Sequence, residues 1–376
     1  MFKNLLKRIF PRSFLKQGFL IYNKVKIATI DRLLFPVHPI PEESYRIKRN
    51  VPVYDELQID ESQLDPKIVA GLALWHGWTQ DEYLLHNKER CVIEPRYGWG
   101  TLNNRLILDS LGFGRAPYVR KPNWYALRVG SKKFIQLQKV ISLRDTGEEN
   151  YFHFYNDILV KILWLEDVFG IDDYVLLVSP TLFKRPYFQF FAKNSTLFKD
   201  KKWRIQEADE YIESSDVVFA KPLTHNRTYL DLIAGSVFIS PQASIREERI
   251  FLTRSRKRMR YLENDEEIHQ LVSAYGFKIV DTDDLSIEDQ ISTFKSAKCI
   301  IGIHGAGLVN IIFAEKLVQL VEILPPQDYV PFHYIMLCQM YGIEYNAVMG
   351  KKNEWAKSGF YLDPRKLESM LEMIKV

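Results

Sequence analysis

The chain has 376 residues, of which 47% are hydrophobic and 26% charged, which is the composition of a folded globular protein with room for two domains. Its net charge of +4 originates in residues 1–35, where eight lysines and arginines face Asp31 alone. The remaining body is slightly acidic, which argues against general nucleic-acid binding.

Residues 1–35 are predicted to form a basic amphipathic segment. Phe2, Leu5, Leu6 and Ile9 recur at helical spacing with basic residues between them, and no apolar run reaches the ~18 residues of a membrane span. Two interpretations stay open. In one interpretation, the segment lies on the inner face of an anionic membrane; in the other, it packs as a helix on its own domain.

Residues 36–240 are predicted to form an N-terminal α/β domain. Its first part, to about residue 145, contains short strand-like pieces but no pattern that indicates chemistry. Beyond that part, strands and helices alternate, and the domain is expected to end near Pro241. Strands are predicted at Asp173–Ser179, Trp203–Ile205 and Val217–Ala220, and helices at Tyr187–Ala192 and near Glu207–Glu213.

The stretch Asn150–Phe169 predicts a long helix with Asn150 as its N-cap. His153 and Asp157 are four residues apart, so they lie on one face within the first two turns. A histidine and a carboxylate in that position suit general-base catalysis. The alternative is a histidine at the capped end with an incidental aspartate beside it.

Residues 241–350 show a regular alternation of strands and helices, followed by a C-terminal tail and helix over residues 351–376. This alternation predicts a doubly wound parallel sheet, in which ligands bind at the carboxyl ends of strands. The predicted strands are Arg249–Thr253, Phe277–Asp281, Lys298–Ile303, Gln319–Leu324 and Ile343–Val348, and the predicted helices are Asn264–Tyr275, Ser286–Ala297, Leu308–Ala314 and Phe332–Tyr341.

The stretch Cys299–Asn310 is a buried strand that breaks into glycines and then becomes a helical pattern. Unpaired N–H groups and the dipole at such a helix start favour a phosphate or another anion, whereas the alternative is a plain strand-to-helix connection. The glycines follow the third strand as G-x-x-G-x-G, which is neither the dinucleotide pattern of a dehydrogenase nor a P-loop. Asp281 and Asp283 resemble the D-x-D pair of a metal-dependent sugar transferase, but a polar loop before the helix capped at Ser286 is the favoured interpretation.

Several motifs together carry a family resemblance. They are F-L-T-R-S-R at 251–256, I-G-I-H-G-A-G-L-V-N at 301–310, V-E-I-L-P at 321–325 and the helix H-F-Y-N-D-I-L-V-K-I at 153–162. In this order and spacing they resemble glycosyltransferase family 61, with Val309 in place of the usual threonine. The resemblance implies a GT-B fold, in which two Rossmann-like α/β domains face a cleft, here preceded by the basic N-terminal segment.

The resemblance also implies an inverting, metal-independent transferase that uses a nucleotide sugar, most often a UDP-sugar, and needs no cofactor. On the donor side it implies that the N–H groups of Gly305, Ala306, Gly307 and Leu308, together with Arg254, His304 and Asn310, hold the diphosphate end, while Glu322 holds the ribose hydroxyls. On the acceptor side, His153 or Asp157 takes the proton from the acceptor hydroxyl. A non-catalytic nucleotide- or glycan-binding module with the same fold is the alternative.

Family members in animals and plants work in the secretory pathway behind a signal anchor, whereas this sequence begins with the basic amphipathic segment. The expectation is therefore a bacterial-type cytoplasmic enzyme, peripheral on the inner membrane, with a glycan or lipid-linked acceptor. Its product would be a surface polysaccharide such as a capsule, O-antigen or exopolysaccharide.

Overall fold

The structure, a computed structural model, describes residues 37–53, 64–116, 119–122, 132–239, 248–257, 259–327, 329–352 and 359–374. The basic segment 1–35 and the boundary expected at Pro241 lie outside the described residues. Within the described ranges, every helix is too short or too polar to cross a membrane.

The described strands, in chain order, are β1 (Tyr45–Pro52), β2 (Thr79–Asn87), β3 (Cys91–Ile93), β4 (Gly100–Leu102), β5 (Arg105–Leu106), β6 (Lys133–Gln136), β7 (Val140–Ser142), β8 (Val175–Val178), β9 (Lys202–Ile205), β10 (Glu210–Ser214), β11 (Val217–Lys221), β12 (Glu248–Thr253), β13 (Phe277–Asp281), β14 (Ala297–Ile303), β15 (Gln319–Leu324), β16 (Glu344–Met349), β17 (Lys351–Lys352) and β18 (Phe360–Tyr361). The α-helices are α1 (Pro66–Ala73), α2 (Tyr151–His153, Phe154–Leu159 and Val160–Val168), α3 (Pro180–Phe183), α4 (Pro186–Asn194), α5 (Arg227–Gly235), α6 (Asp265–Ala274), α7 (Ile287–Ser296), α8 (His333–Tyr341) and α9 (Pro364–Met373).

The N-terminal region contains two mixed sheets. The first has the order β1-β2-β11-β7-β8-β9, with β11, β7, β8 and β9 parallel and β1 and β2 antiparallel. The second has the order β5-β4-β3-β10-β6. This region is therefore α/β, as predicted, with antiparallel strands added to its parallel part.

One helix prediction in this region is wrong. The segment predicted as helical near Glu207–Glu213 forms β10, which lies between β3 and β6. Two of its acidic residues are neutralised by cations from elsewhere in the sheet region: Lys133 binds Glu210 at 2.8 Å, and Arg90 binds Glu213 at 2.5 Å. Lys133 and Arg90 are distant in sequence from β10, so the local sequence pattern does not indicate these ion pairs.

The C-terminal region is a parallel sheet with the order β13-β12-β14-β15-β16. Its predicted strands are confirmed to within a few residues, and so are its predicted helices except the one at Leu308–Ala314, which is a 3-10 helix. Because the chain starts in β12 and goes first to β13 and then to β14, the strand order reverses between β12 and β14. Ligands of such sheets bind in the crevice at this point, outside the carboxyl ends of the strands.

The two regions share one hydrophobic core, to which α2 contributes Phe154 and Tyr155 and the C-terminal region contributes Phe313. The rings of Tyr155 and Phe313 meet edge to face with centroids 5.9 Å apart. Helix α2 therefore lies at the junction of the two regions, with its first turns directed toward the end of the parallel sheet.

Helix α1 packs on the C-terminal sheet although it precedes β2 in the chain. Its Ile68 and Leu72 lie in one buried cluster with Leu324 of β15 and Ala347 of β16. Trp75, just beyond the helix, donates its Nε1–H to the carbonyl oxygen of Val330 at 2.6 Å. The N-terminal part of the chain thus holds the C-terminal region at a second place.

Candidate active site

A cavity of about 540 Å³ lies at the carboxyl end of the C-terminal sheet and is lined by both regions. Its size is in the usual range for small-molecule sites. The C-terminal wall contains Arg254, Asp281, Thr282, Asp283, Gly305, Ala306, Gly307 and Leu308, and the N-terminal wall contains Glu149, Asn150, Tyr151, Arg185 and Tyr187. The glycine turn and Arg254 are thus brought together at one opening, as the sequence predicted for the ends of adjacent strands.

The glycine turn differs from the prediction in its helix type. The segment predicted as a helix from Leu308 is a 3-10 helix, Ala306–Phe313, which begins two residues earlier. Leu308 N donates to Gly305 O at 3.1 Å, and this three-residue spacing draws the chain into a tighter first turn than an α-helix has. Val309 of this helix is buried in the shared core, so the position that departs from the family pattern does not face the cavity.

Arg254 directly follows β12 and is held against the glycine turn. Its Nη1 donates to the carbonyl oxygen of His304 at 2.9 Å. A Cβ added to Gly305 would lie 2.2 Å from the same nitrogen, so any other residue at this position would displace the guanidinium from its place against the turn. The small size of Gly305 therefore lets Arg254 approach the carbonyl group of His304.

His304 and Glu322 form a pair behind the turn. His304 Nδ1 is hydrogen-bonded to Glu322 Oε1, and Glu322 Oε2 accepts from the hydroxyl of Tyr345 at 2.7 Å. The side chain of Glu322 is fully buried, and neither residue lines the cavity. The prediction that Glu322 holds ribose hydroxyls is therefore wrong for this geometry, because both oxygens are occupied and unexposed; the carboxylate orients His304 instead.

Asn310 also has a role that differs from the predicted contact with the donor. It is fully buried; its Oδ1 accepts from the hydroxyl of Tyr151 at 2.8 Å, and its Nδ2 donates to Gln290 Oε1 at 3.2 Å. Gln290 in turn donates to the carbonyl oxygen of Thr282 at 2.9 Å, in the cavity wall. Asn310 thus links the start of α2 to the loop after β13.

The predicted pair on α2 is present. Asn150 caps the helix, and His153 Nδ1 lies 2.6 Å from Asp157 Oδ2. Their side chains are 33% and 11% exposed, so His153 is the more accessible member, and no other hydrogen bond reaches its ring within the described residues. His153 and Asp157 do not line the 540 Å³ cavity; they lie on the same helix just beyond its lining residue Tyr151.

A second layer of contacts fixes Asp157. Asn156 Nδ2 donates to Asp157 Oδ1 at 3.1 Å, while Asn156 Oδ1 accepts from His225 N at 2.9 Å. Asn156 and Asp157 belong to the π-helical part of α2, Phe154–Leu159, a local widening that is frequent at functional sites. Asp157 therefore has a partner at each oxygen, and Asn156 has its amide orientation determined by the backbone of His225.

The electrostatic environment favours the charged form of His153. Partial burial alone would lower its pKa, but the hydrogen bond to Asp157 and the charges of Asp157 and Asp145 raise the pKa above its ordinary value of 6.5. The net shift is opposite at His333, where burial outweighs the charge of Asp157 and lowers the pKa to about 4. A neutral His333 therefore lies near the pair and does not repel a protonated His153.

Sequence reasoning missed Arg185, Tyr151, Asn156 and His333. Tyr151 and Asn156 lie inside the predicted helix, so only their burial and partners reveal a role. Arg185 and His333 come from elements outside the matched motifs, and only the fold brings them to the site.

The two aspartates considered for a metal belong to a turn, in which Asp281 Oδ1 accepts from Asp283 N at 3.0 Å. Across the part of the chain that the structure describes, there is no group of three or more His, Cys, Asp or Glu side chains placed to hold a metal ion. Cys91, Cys299 and Cys338 are buried free thiols.

In a comparison with family models, residues 151–321 match the family described as Glycosyltransferase 61. The matched stretch begins at the first residue of α2 and ends in β15, so it contains His153, Asp157, Arg254 and the glycine turn. No curated protein matches the chain.

Proposed function

Residues 151–321 are a glycosyltransferase family 61 domain, and from this premise we propose that the chain is an inverting transferase that moves a sugar from a nucleoside diphosphate to a hydroxyl acceptor. The observation that carries the proposal is the shared cavity. One wall presents a guanidinium and a glycine turn, and the other includes Tyr151 of helix α2, which carries the His153–Asp157 pair just beyond the cavity. The cavity between two α/β regions also supports a GT-B arrangement.

The donor diphosphate is proposed to bind at Arg254 and the turn Gly305–Leu308, which line the cavity. A planar guanidinium matches two phosphate oxygens, and backbone N–H groups stabilise the charge that develops on the leaving group. The nucleoside, expected to be uridine, would lie along Asp281, Thr282 and Asp283. The His304–Glu322 pair lies outside the cavity and stabilises this site indirectly. Glu322 orients His304, and the carbonyl oxygen of His304 accepts a hydrogen bond from Arg254.

His153 is proposed as the general base and Asp157 as the residue that orients it. Nδ1–H of His153 donates a hydrogen bond to Asp157. Nε2 is therefore the nitrogen that takes the proton from the hydroxyl group of the acceptor. The acceptor oxygen then bonds to the anomeric carbon while the bond from that carbon to the diphosphate oxygen breaks. The configuration inverts because this is a single displacement.

The family resemblance and the basic segment support a proposal for the biological setting. We propose a role in bacterial surface polysaccharide synthesis, with residues 1–35 contacting an anionic membrane from the cytoplasmic side. Deleting residues 1–35 should abolish sedimentation with vesicles that contain phosphatidylglycerol. Unchanged sedimentation would refute the membrane contact and leave the transferase proposal intact.

The central experiment is a thermal-shift screen of the full chain against UDP-, GDP-, dTDP- and CMP-sugars, followed by donor hydrolysis assays. A donor at one hundred times its Kd should stabilise the protein by about 2.7 kcal/mol. Arg254→Ala should abolish that shift, whereas His153→Ala should keep the shift and lose turnover. The function would be refuted if no nucleotide sugar stabilises the protein, and the catalytic role if binding occurs without turnover.

A further inference from the structure

Arg185 is an arginine of the N-terminal region that lines the same cavity as Arg254. It immediately precedes Pro186, the first residue of α4, and has extended backbone angles of φ −68° and ψ 137°. The proline ring fixes the start of the helix and restricts the residue before it, so the position of Arg185 in the wall is well defined.

The side chain of Arg185 is not used by the protein itself. The residue is exposed; its backbone bonds to Leu182 and Gln189, but within the described residues its side chain makes no hydrogen bond or ion pair. Glu149 lines the same wall and is not paired with it. By contrast, Arg254 on the opposite wall is already tied to the carbonyl of His304. The cavity therefore has a fixed guanidinium on one side and an uncommitted one on the other.

We propose that Arg185 is a second phosphate ligand for the donor, supplied by the N-terminal region, so that the diphosphate bridges the two walls. This inference rests on the proposed function, since it concerns the same cavity. Guanidinium groups bind phosphate oxygens through paired N–H donors, and two of them on opposite sides suit a group with two phosphates.

The arrangement predicts selectivity for diphosphates. A nucleoside diphosphate reaches both arginines, whereas a nucleoside monophosphate reaches the fixed Arg254 and leaves Arg185 in solvent. Arg185 would also stabilise the negative charge that develops on the diphosphate as it leaves, because it approaches from the side of the acceptor region. Its loss should therefore weaken binding of UDP more than binding of UMP.

The test is isothermal titration calorimetry of the full chain with UDP, GDP, UMP and uridine. Arg185→Ala should raise the Kd for the preferred diphosphate about tenfold and change the Kd for uridine less than about twofold. Arg185→Lys keeps the positive charge but loses the paired N–H donors of the guanidinium, so its Kd for the diphosphate should lie between those of the wild type and Arg185→Ala. Lys184→Ala is the matched control, because Lys184 is an exposed neighbouring cation that does not line the cavity.

The outcomes separate the two proposals. If Arg254→Ala weakens diphosphate binding and Arg185→Ala does not, the inference is overturned and the donor site stands. If Arg185→Ala weakens the binding of uridine as much as the binding of UDP, Arg185 does not contact the phosphates and the inference is also overturned. If the wild-type chain binds no nucleoside diphosphate, the proposed donor site is wrong and this inference falls with it.

Discussion

Two histidine–carboxylate pairs lie on opposite sides of the junction between the regions, and they differ in access. His153 and Asp157 share one helix and are 33% and 11% exposed, whereas His304, directly after β14, and Glu322 of β15 are 11% and 0% exposed. In the first pair, one edge of the ring has no partner among the residues that the structure describes. In the second, the carboxylate is saturated by His304 and Tyr345.

The difference shows how burial assigns different tasks to the same two functional groups. A carboxylate that fixes one ring nitrogen leaves the other available for proton transfer when solvent or substrate reaches it. In the buried pair, the hydrogen bond between Glu322 and His304 instead fixes the turn that follows β14. The helix pair is therefore interpreted as catalytic, and the strand pair as support for the donor site.

The largest effect expected from this comparison is on turnover. His153→Ala should reduce kcat for donor hydrolysis by about a thousandfold, because a general base contributes 10² to 10⁴ in rate. Calorimetry should show unchanged UDP binding, and the exposed His76→Ala serves as a control that keeps full activity. Near-normal turnover of His153→Ala would remove the helix pair from the mechanism.

The second prediction concerns stability. Glu322→Gln should lower the free energy of unfolding by about 2 kcal/mol, because the buried pair loses its charge while His304 keeps an acceptor. Urea unfolding followed by tryptophan fluorescence measures this loss. A variant as stable as wild type with normal UDP affinity would show that the strand pair does not support the site.

The third prediction concerns the room that glycine leaves for Arg254. Gly305→Ala should raise the Kd for UDP roughly tenfold, since the added carbon would lie 2.2 Å from Arg254 Nη1 and displace it. Gly235→Ala is the control, because a Cβ at that helical position meets nothing within 4 Å. Equal affinities in the two variants would contradict the steric argument.

The smallest effect expected is a shift in pH dependence. His153 acts as a base only when neutral, and its pKa is raised above 6.5, so turnover should increase with pH through an inflection above 6.5. In Asp157→Asn the main raising partner is lost and burial remains, so the inflection of the residual activity should move to lower pH. A profile whose inflection stays in place would assign it to another group.

Much of the C-terminal sheet was predictable because its information is local. Apolar runs, the Ser286 cap and the glycine turn each specify an element within a few residues, and the structure confirms them. The His153–Asp157 contact was predictable for the same reason, since helix geometry alone brings residues four apart together.

The parts that sequence reasoning missed depend on distant partners. Strand β10 requires Lys133 and Arg90, and Glu322 requires Tyr345, before their charges are compatible with burial. A lone acid within the apolar run Q-L-V-E-I-L was a usable signal of a buried, paired carboxylate. Arg185 has no comparable signal, because only the fold places it opposite Arg254.

Helix α1 has a consequence for the synthesis of the chain. Trp75 and its acceptor Val330 are 255 residues apart, and ribosomes add about 5 to 20 residues per second, so the partner emerges roughly ten to fifty seconds later. During that interval Ile68, Leu72 and Trp75 present an apolar face without the surface that buries it. The nascent N-terminal region is therefore expected to bind chaperones until the last strands of the sheet have been made.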